Sequence, residues 1–349
     1  MERKATRSST AGRTVVGVGT VRFGHDPFPV VAGPCAIESE SQINRIAEAV
    51  AEAGAAVLRG GAYKSGSSPY SFRGLGDEGV RLLAEAGRRA GLPTVTQVLE
   101  PRDVTVVTES IDMVEIHSGA MQNFELLREA GRSEKPVLLR RGPSATIDEW
   151  LWAAEYLLAE GNDQVVLVER GIRTFGNGST DTLDISSVPM LRESSHLPVV
   201  VDPSHASGGA SRVPPLALAA QGVGADGLIV EVHPDPDTAR SEGPRQLDVT
   251  QFDELMVSLG VSRLRNRIDL IDREIVRMLA RRQELAVRIG EVKAERDMPV
   301  QIPARERELL DVIRQEAVTQ GVNPDHAVRL FELVLEESRR IQRVMRGME

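Results

Sequence analysis

Eight short apolar runs between Pro29 and Pro234 constrain the fold of this chain more than any other feature. Each run is rich in Val, Ile and Leu and lacks the alternation of apolar and polar residues that marks a half-solvated sheet. The pattern is therefore typical of parallel strands buried on both faces. Stretches with helical periodicity separate the runs, so the α/β pattern favours a TIM (β/α)8 barrel over an open doubly wound sheet. The runs are PVVAGPCA (29–36), AVLRGGAY (56–63), TVTQVL (94–99), MVEIHSG (113–119), PVLLRRG (136–142), VVLVERG (165–171), LPVVVDPSH (197–205) and GLIVEVHP (227–234).

Chemically active side chains recur at or just past the ends of these runs. In a (β/α)8 barrel the carboxyl ends of all strands converge on one mouth, where the chemistry of such folds is found. A turn or capping role is the simpler interpretation of any single residue, but their recurrence indicates a site. The residues are Cys35, Arg59, Lys64, Arg141, Arg170, His205 and Glu231.

The C-terminal part of the chain has a different, all-helical character. Gly290 interrupts a segment from Leu264 to Glu295 that otherwise contains neither Gly nor Pro, and its apolar residues repeat at spacings of three and four. This pattern predicts one long amphipathic helix, followed by shorter helices over 305–320 and from about 323 to 346. Three helices bury so long an apolar stripe poorly, so we expect the domain to dimerise.

Composition and boundaries set the wider expectations. The net charge of −9, from 42 basic and 51 acidic residues, argues against a nucleic-acid footprint. The one cysteine favours a reducing cytoplasm, and no apolar stretch is long enough to cross a bilayer. The predicted organisation is a disordered lead-in over 1–14, a barrel over 15–250, a linker over 251–261 and a helical domain over 262–349.

Cations lie on the apolar face of the long predicted helix. Arg282 and Lys293 are eleven residues apart, which places them about 20° apart around the helix axis. Cations on an apolar stripe need an anionic partner, because an unpaired buried charge is costly. Arg265 points about 100° away and is better placed to reach the site of a dimer partner. Ser338 and Gln342 offer neutral hydrogen-bonding groups from the last helix. A solvated charged face is the ordinary alternative, and it is the interpretation we adopt for Arg281, Arg288, Arg296 and Arg339.

Residues 264–310 (LRNRIDLIDREIVRMLARRQELAVRIGEVKAERDMPVQIPARERELL) and 330–342 (LFELVLEESRRIQ) resemble the helical chorismate mutase family. The resemblance implies Claisen rearrangement of chorismate to prephenate without a cofactor. It implies that Arg282 and Lys293 bind a carboxylate and the ether oxygen, while Arg305 and a partner chain's Arg265 complete the carboxylate contacts. Glu306 then holds the ring hydroxyl, and Ser338 and Gln342 line the remaining wall. One departure is Ile302, where the family often has Asp.

The barrel resembles type I DAHP synthase (3-deoxy-arabino-heptulosonate 7-phosphate synthase), which condenses phosphoenolpyruvate (PEP) with erythrose 4-phosphate. The motifs that carry the resemblance include GPCAIES, RGGAYK, SPYSF, MQNFELL, ERGIRTF, VDPSH and EVHPDP. It implies a divalent metal held by Cys35, His205, Glu231 and Glu242, of which Glu242 replaces the family's Asp. Mixed sulfur, nitrogen and oxygen ligands suit Mn, Fe, Co or Zn. The residues that match or replace members of the PEP pocket are Arg59, Lys64, Arg140, Arg141 and Arg170.

Several positions depart from the DAHP synthase pattern. The K-P-R-T-S loop reads Lys-Ser-Gly-Ser-Ser over 64–68, and G-A-R-N reads His-Ser-Gly-Ala over 117–120, so two phosphate-binding arginines are absent. Gln97 and Arg140 replace a Glu and a Lys. Each lost arginine–phosphate pair costs a few kcal/mol, which predicts a much slower ordinary condensation.

Three interpretations of the barrel stay open: a changed substrate, a non-catalytic domain that regulates the mutase or binds another shikimate-pathway enzyme, or a working DAHP synthase with compensating residues. His117 is interpreted as a surface-loop histidine.

Overall fold

The computed structural model describes residues 3–6, 12–66, 68–175 and 181–346, except for the side chains of 261–267 and 269–270. The chain divides into two compact units, Met1–Arg263 and Leu264–Glu349. In the described residues no helix is long and apolar enough to cross a membrane.

The first unit is built on a closed parallel barrel, which confirms the predicted fold. A short antiparallel hairpin of β1 (Val16–Val18) and β2 (Val21–Phe23) precedes it. Eight strands of the described chain then pair in sequence order, and the last pairs with the first to close the barrel. They are β3 (Val30–Gly33), β4 (Val57–Arg59), β5 (Thr94–Val98), β6 (Met113–Ile116), β7 (Val137–Arg140), β8 (Val165–Glu169), β9 (Val199–Val201) and β10 (Leu228–Glu231). Each of the eight predicted runs supplies one of these strands.

Helices follow the barrel strands, and several of them begin at side-chain caps. Ser39 and Asn123 accept hydrogen bonds from backbone N–H groups in the first turns of their helices, and Thr146 forms a capping box with Glu149. The helices are α1 (Glu40–Glu52), α2 (Asp77–Ala90), α3 (Pro101–Thr108), α4 (Phe124–Arg132), α5 (Ile147–Ala159), α6 (Ser187–Ser194), α7 (Pro203–Ser207) and α8 (Val213–Gly222).

The interior of the barrel changes character along the strands. Near the strand starts it is filled by an apolar cluster that includes Val57, Met113 and Leu138, against which Val16 and Phe23 of the hairpin pack. Two residues further along a strand the side chain returns to the same face. Those later positions are polar or charged, namely Arg59, Gln97, Glu115, Arg140, Asp202 and Glu231, and all are buried. The carboxyl end of the barrel therefore holds a layer of buried charge.

The structure differs from the expectation of a disordered lead-in at the described residues of 1–14. Ala5 is buried against the barrel, and Arg13 forms an ion pair with Asp226 at 2.6 Å. These contacts hold the segment to the outside of the barrel, because a buried backbone and a paired guanidinium offset the entropy lost on ordering.

The predicted linker over 251–261 also differs from the structure. It lies within a helix, α9 (Val249–Glu295), and its Phe252, Leu255 and Leu259 are buried in the core cluster of the first unit. An amphipathic segment with three large apolar side chains packs on the barrel rather than crossing solvent.

The second unit is helical, as predicted. The boundary between the units falls within α9, and α10 (Pro303–Thr319) and α11 (Pro324–Met345) follow. Asn323 caps α11 by accepting from the backbone N–H groups of Asp325 and His326. Ile271, Ile275 and Met278 of α9 are exposed in the chain by itself. The expected dimerisation of this domain through that apolar face stays a prediction.

Close packing of α2 on β5 generates a stability prediction. A Cβ atom at Gly87 would lie 2.2 Å from Cγ2 of Thr94 and 2.9 Å from the carbonyl oxygen of Leu92. A helical Gly→Ala change ordinarily stabilises by up to about 1 kcal/mol, but this overlap reverses the sign. Gly87→Ala is expected to lower the free energy of unfolding by about 1–3 kcal/mol, measured by urea denaturation.

Gly222→Ala is the matched control, because nothing lies within 4 Å of a Cβ atom at that helical glycine. It is expected to leave stability unchanged or raise it slightly. Equal midpoints for Gly87→Ala and the wild type would show that the helix and strand separate more easily than the packing indicates.

Candidate active sites in the barrel and the helical domain

A network of buried ion pairs crosses the mouth of the barrel. The Arg59 guanidinium lies 2.6 Å from a carboxylate oxygen of Glu231 and 3.8 Å from one of Glu115. Arg140 lies 2.9 Å from Glu115 and also pairs with Asp202. Burial raises the pKa of Glu115, but the charges of Arg140 and Arg59 outweigh this effect and lower it. Two of the predicted cations are thus matched by three carboxylates of the protein itself.

Two of the four predicted metal ligands, His205 and Glu231, present suitable donor atoms for a metal. Nδ1 of His205 lies 2.8 Å from Asp202, which leaves Nε2 to face Glu231 at 3.7 Å. This is the arrangement in which a carboxylate orients a ligating imidazole. One carboxylate oxygen of Glu231, Oε2, is buried without a hydrogen-bond partner. Burial raises the pKa of Glu231, but His205 and Arg59 lower it to about 2, so the carboxylate is ionised.

The thiol of Cys35, the third retained ligand, contacts residues other than His205 and Glu231. Its Sγ lies 3.1 Å from Nζ of Lys64 and 3.3 Å from the hydroxyl of Ser241. Burial and the charge of Glu231 raise the pKa of the thiol, while Lys64 acts in the opposite direction. In the part of the chain that the structure describes, no group of three or more His, Cys, Asp or Glu side chains is close enough to hold a metal ion.

The predicted fourth ligand, Glu242, is placed elsewhere. Its side chain is exposed and forms an ion pair with Arg245 at 2.9 Å, and its backbone is left-handed at φ 55°. Ser241 takes the position beside Cys35. The assignment of Glu242 as a metal ligand is therefore not supported by its contacts, because the local i, i+3 pair holds the longer side chain away.

The other predicted cations of the barrel are also matched by carboxylates. Arg141 lies 2.9 Å from Glu169 and 2.8 Å from Asp184. Arg170 pairs with Asp181 at 2.6 Å. These acidic partners were not singled out in the sequence, although each lies within or near a strand-end motif.

A cavity of about 530 Å³ opens at the barrel mouth, and its lining includes both positions at which an arginine is absent. A Cβ atom at Gly66 would lie 2.4 Å from Cβ of Ser71, and one at Gly119 would lie 3.3 Å from Nδ1 of His117. His117 is half-buried in this lining, so its interpretation as a surface-loop residue is not supported. Nδ1 of His117 accepts a hydrogen bond from the backbone N–H of Gly119. Burial and Lys64 lower its pKa to about 3, so the ring is neutral.

The helical unit contains a second site, a cavity of about 370 Å³. It is lined by all the predicted mutase residues whose side chains the structure describes, namely Arg282, Lys293, Arg305, Glu306, Ser338 and Gln342. Arg265 lies outside the described side chains. Ile302, at the departure from the family pattern, also lines the cavity.

Neutral partners hold the two central cations of this cavity. Arg282 donates to the hydroxyl of Ser338 at 2.6 Å, and Lys293 donates to the carbonyl oxygen of Val300 at 2.6 Å. Gln342 donates to the carbonyl oxygen of Ala286, and its own side-chain oxygen is buried without a partner. Burial lowers the pKa of both cations. The arrangement is one that an anionic ligand would stabilise.

Glu306 has partners that the sequence did not indicate. Its carboxylate accepts from Arg339 at 2.8 Å and from the side-chain amide of Gln301 at 3.0 Å. Arg339 lines the same cavity, so its interpretation as a solvated residue is not supported. Arg305 is exposed and pairs with Glu308 at 2.6 Å.

Two family models match the chain, one for each unit. The DAHP synthetase I family matches residues 6–263, and chorismate mutase type II matches residues 264–343. A phospho-2-dehydro-3-deoxyheptonate aldolase of Thermotoga maritima is 48% identical over 243 residues, covering 70% of this chain and 72% of that protein. A 2-dehydro-3-deoxyphosphooctonate aldolase of Bradyrhizobium diazoefficiens is 32% identical, covering 71% of this chain and 94% of that protein.

Solved structures agree with the sequence relatives. A crystal structure of phospho-2-dehydro-3-deoxyheptonate aldolase (DAHP synthase) from Thermotoga maritima superposes with a TM-score of 0.73 at 44% identity, covering 76% of this chain and 77% of that one. A truncated form from the same organism gives a TM-score of 0.69 at 42% identity, covering 76% of this chain and 96% of that one.

The contact between α9 and α11 generates a prediction for the helical site. A Cβ atom at Gly290 would lie 2.9 Å from Cγ of Gln342. Gly290→Ala should therefore displace the Gln342 amide from the cavity. We expect the rate of chorismate rearrangement to fall by about tenfold or more, because small displacements of a positioned group are costly.

The control is Glu291→Ala, which alters an exposed residue beside Gly290. It should leave the rate unchanged when both variants are assayed by loss of chorismate absorbance. Full activity in Gly290→Ala would mean that Gln342 does not act on the substrate.

Proposed function

Because the chain belongs to the DAHP synthetase I family and carries a chorismate mutase type II domain behind its barrel, we propose that it is a bifunctional enzyme of aromatic biosynthesis. The helical domain converts chorismate to prephenate, and the barrel condenses PEP with erythrose 4-phosphate. The observation that carries the mutase assignment is that one cavity is lined by the six predicted residues whose side chains the structure describes. The family match and the retained Cys35, His205 and Glu231 support the synthase assignment.

The mutase residues act by holding charge and conformation. The rearrangement needs neither a nucleophile nor a proton transfer, so catalysis consists of binding the dianion in its compact conformer. Arg282, fixed by Ser338, binds a carboxylate. Lys293 and Gln342 face the ether oxygen, where negative charge develops as the C–O bond breaks, and they stabilise it. Glu306, held by Arg339, accepts from the ring hydroxyl.

Arg282 and its neighbour Arg281 provide a matched test of the mutase site. Arg281 is exposed and lies outside the cavity lining, whereas Arg282 lines the cavity. Arg282→Ala is expected to abolish turnover of chorismate, by about a thousandfold or more, because it removes a charge-assisted contact to the dianion. Arg281→Ala should keep wild-type activity, and both variants should keep the helicity measured by circular dichroism. Near-wild-type rearrangement by Arg282→Ala would contradict the assignment.

In the barrel, Cys35, His205 and Glu231 are the residues that would hold a divalent metal. When bound, such a metal supplies polarisation of the aldehyde. Asp202 fixes the tautomer and orientation of His205 by accepting a hydrogen bond from its Nδ1–H. Lys64, beside Cys35, provides a cation at the mouth.

A second candidate for the barrel is the same type of condensation on a donor that carries less negative charge. The observation that favours it is Glu115, whose ionised carboxylate lies between Arg59 and Arg140 where an anionic donor would compete with it. The neutral ring of His117 beside Gly119 adds no cation at this end of the cavity.

Direct assay separates the two candidates. Purified protein is supplied with PEP, erythrose 4-phosphate and each divalent metal in turn, and the seven-carbon product is detected. Turnover of about one per second supports DAHP synthesis. The second candidate instead gives little product in the wild type and a gain in Glu115→Gln, because the substitution removes the negative charge that lies between Arg59 and Arg140 and competes with PEP.

We propose a homodimer through the exposed apolar face of α9, with Arg265 of each chain serving the partner's site. A mixture of Arg265→Ala and Arg282→Ala chains is then expected to recover part of the mutase activity, since each mixed dimer holds one intact site. Subunit exchange is verified by mass, and no recovery after exchange would contradict the shared site. The single cysteine supports a cytoplasmic location. We also propose another shikimate-pathway enzyme as a partner for the barrel.

A further inference from the structure

The cavity at the barrel mouth has a cationic outer rim. Its lining includes Lys64, Arg170, Arg173 and Arg240, with Asp181 and Glu242 as the acidic members. Both carboxylates are already paired, Asp181 with Arg170 and Glu242 with Arg245. Among the described side chains no carboxylate forms an ion pair with Arg173 or Arg240. The rim therefore retains positive charge that the protein does not neutralise.

Arg240 is held in a defined position on this rim. Its guanidinium carbon lies 3.7 Å from the centre of the Phe72 ring, and its backbone N–H donates to the carboxylate of Glu38 at 2.8 Å. Stacking on an aromatic face occupies the plane of a guanidinium and leaves the N–H donors around its edge available. Such a group is prepared to bind a phosphate with two parallel hydrogen bonds.

Position 66, in the loop that carries Phe72, has no room for an arginine side chain. Position 66 is glycine, and a Cβ atom there would overlap Cβ of Ser71 at 2.4 Å. The backbone of Ser71 also donates to the carbonyl oxygen of Ser68 at 3.1 Å, which closes the loop on itself. The guanidinium that an arginine at position 66 would supply must therefore come from another position. Arg240, which follows β10, provides one.

We propose that Arg240 binds the phosphate of the aldehyde substrate in the barrel and replaces the arginine that is absent at position 66. The identity of the substrate rests on the proposed condensation. The binding of an anion at this place rests on the residues that line the cavity alone. The ligand class is a phosphomonoester attached to a short polyhydroxy aldehyde, with Lys64 and Arg173 as the nearby cations.

The experiment measures inorganic phosphate binding by calorimetry at fixed ionic strength, together with the KM values of the condensation. Arg240→Met is expected to lose one equivalent of bound phosphate or to bind it at least tenfold more weakly. The KM for erythrose 4-phosphate should rise by a similar factor, while the KM for PEP stays within twofold. Arg240→Lys should recover part of the loss, because it keeps the charge without the planar fork.

Arg89→Met is the matched control. It removes the same charge from the last turn of α2, which leads to the start of β5 at the opposite end of the barrel, and it should bind phosphate as the wild type does. The proposal is overturned if Arg240→Met binds phosphate normally or if the wild type binds none. It is also overturned if Arg240→Met and Arg89→Met lose phosphate affinity to the same extent. If the wild type shows no condensation but Arg240→Met loses phosphate, the proposed synthase activity fails and the anion site stands.

Discussion

The layer of buried charge at the carboxyl end of the barrel governs the rest of the first unit. Arg59 and Arg140 lie among Glu115, Asp202 and Glu231, all removed from solvent. A buried charge is tolerated only with a partner, and removing one member of a buried pair costs about 3–5 kcal/mol. Each strand end must therefore keep its register with its neighbours. This layer also fixes the imidazole of His205 through Asp202, so that the charged core and the candidate metal site are one structure.

How much of this layer the sequence predicts depends on register. The strands themselves follow from the apolar runs, and the basic residues at their ends were identified because such positions converge on one mouth. Glu115 and Asp202 were missed, although both lie within the runs. An acidic residue near a strand end does not reveal from one sequence whether it faces the barrel interior or the helical layer. The apolar residues two positions earlier, Met113 and Val200, share the interior face and were the available signal.

The helical site was predicted more completely, because spacing on a helix is local information. Arg282 and Lys293 lie on one stripe by their separation alone, and the structure places both in the same cavity. Arg339 was misjudged, since its partner Glu306 comes from a different helix and only packing brings them together. The contacts of Glu242 differ from the expectation for the opposite reason. Its contact with Arg245 is local, at i and i+3, but the left-handed backbone that directs it is not visible in a sequence.

The two cavities differ in whether protein carboxylates or a bound ligand supply the negative charge that balances their cations. In the helical domain burial lowers the pKa of Arg282 and Lys293, whose partners are neutral. In the barrel burial also acts to lower the pKa of Arg59 and Arg140, but protein carboxylates outweigh it and raise both values. An anion that binds Arg282 or Lys293 therefore meets a cation without a carboxylate partner, whereas one that binds Arg59 or Arg140 must displace a carboxylate. The affinity of a basic pocket for an anion thus depends less on the number of its cations than on how many the protein has left without a counter-charge.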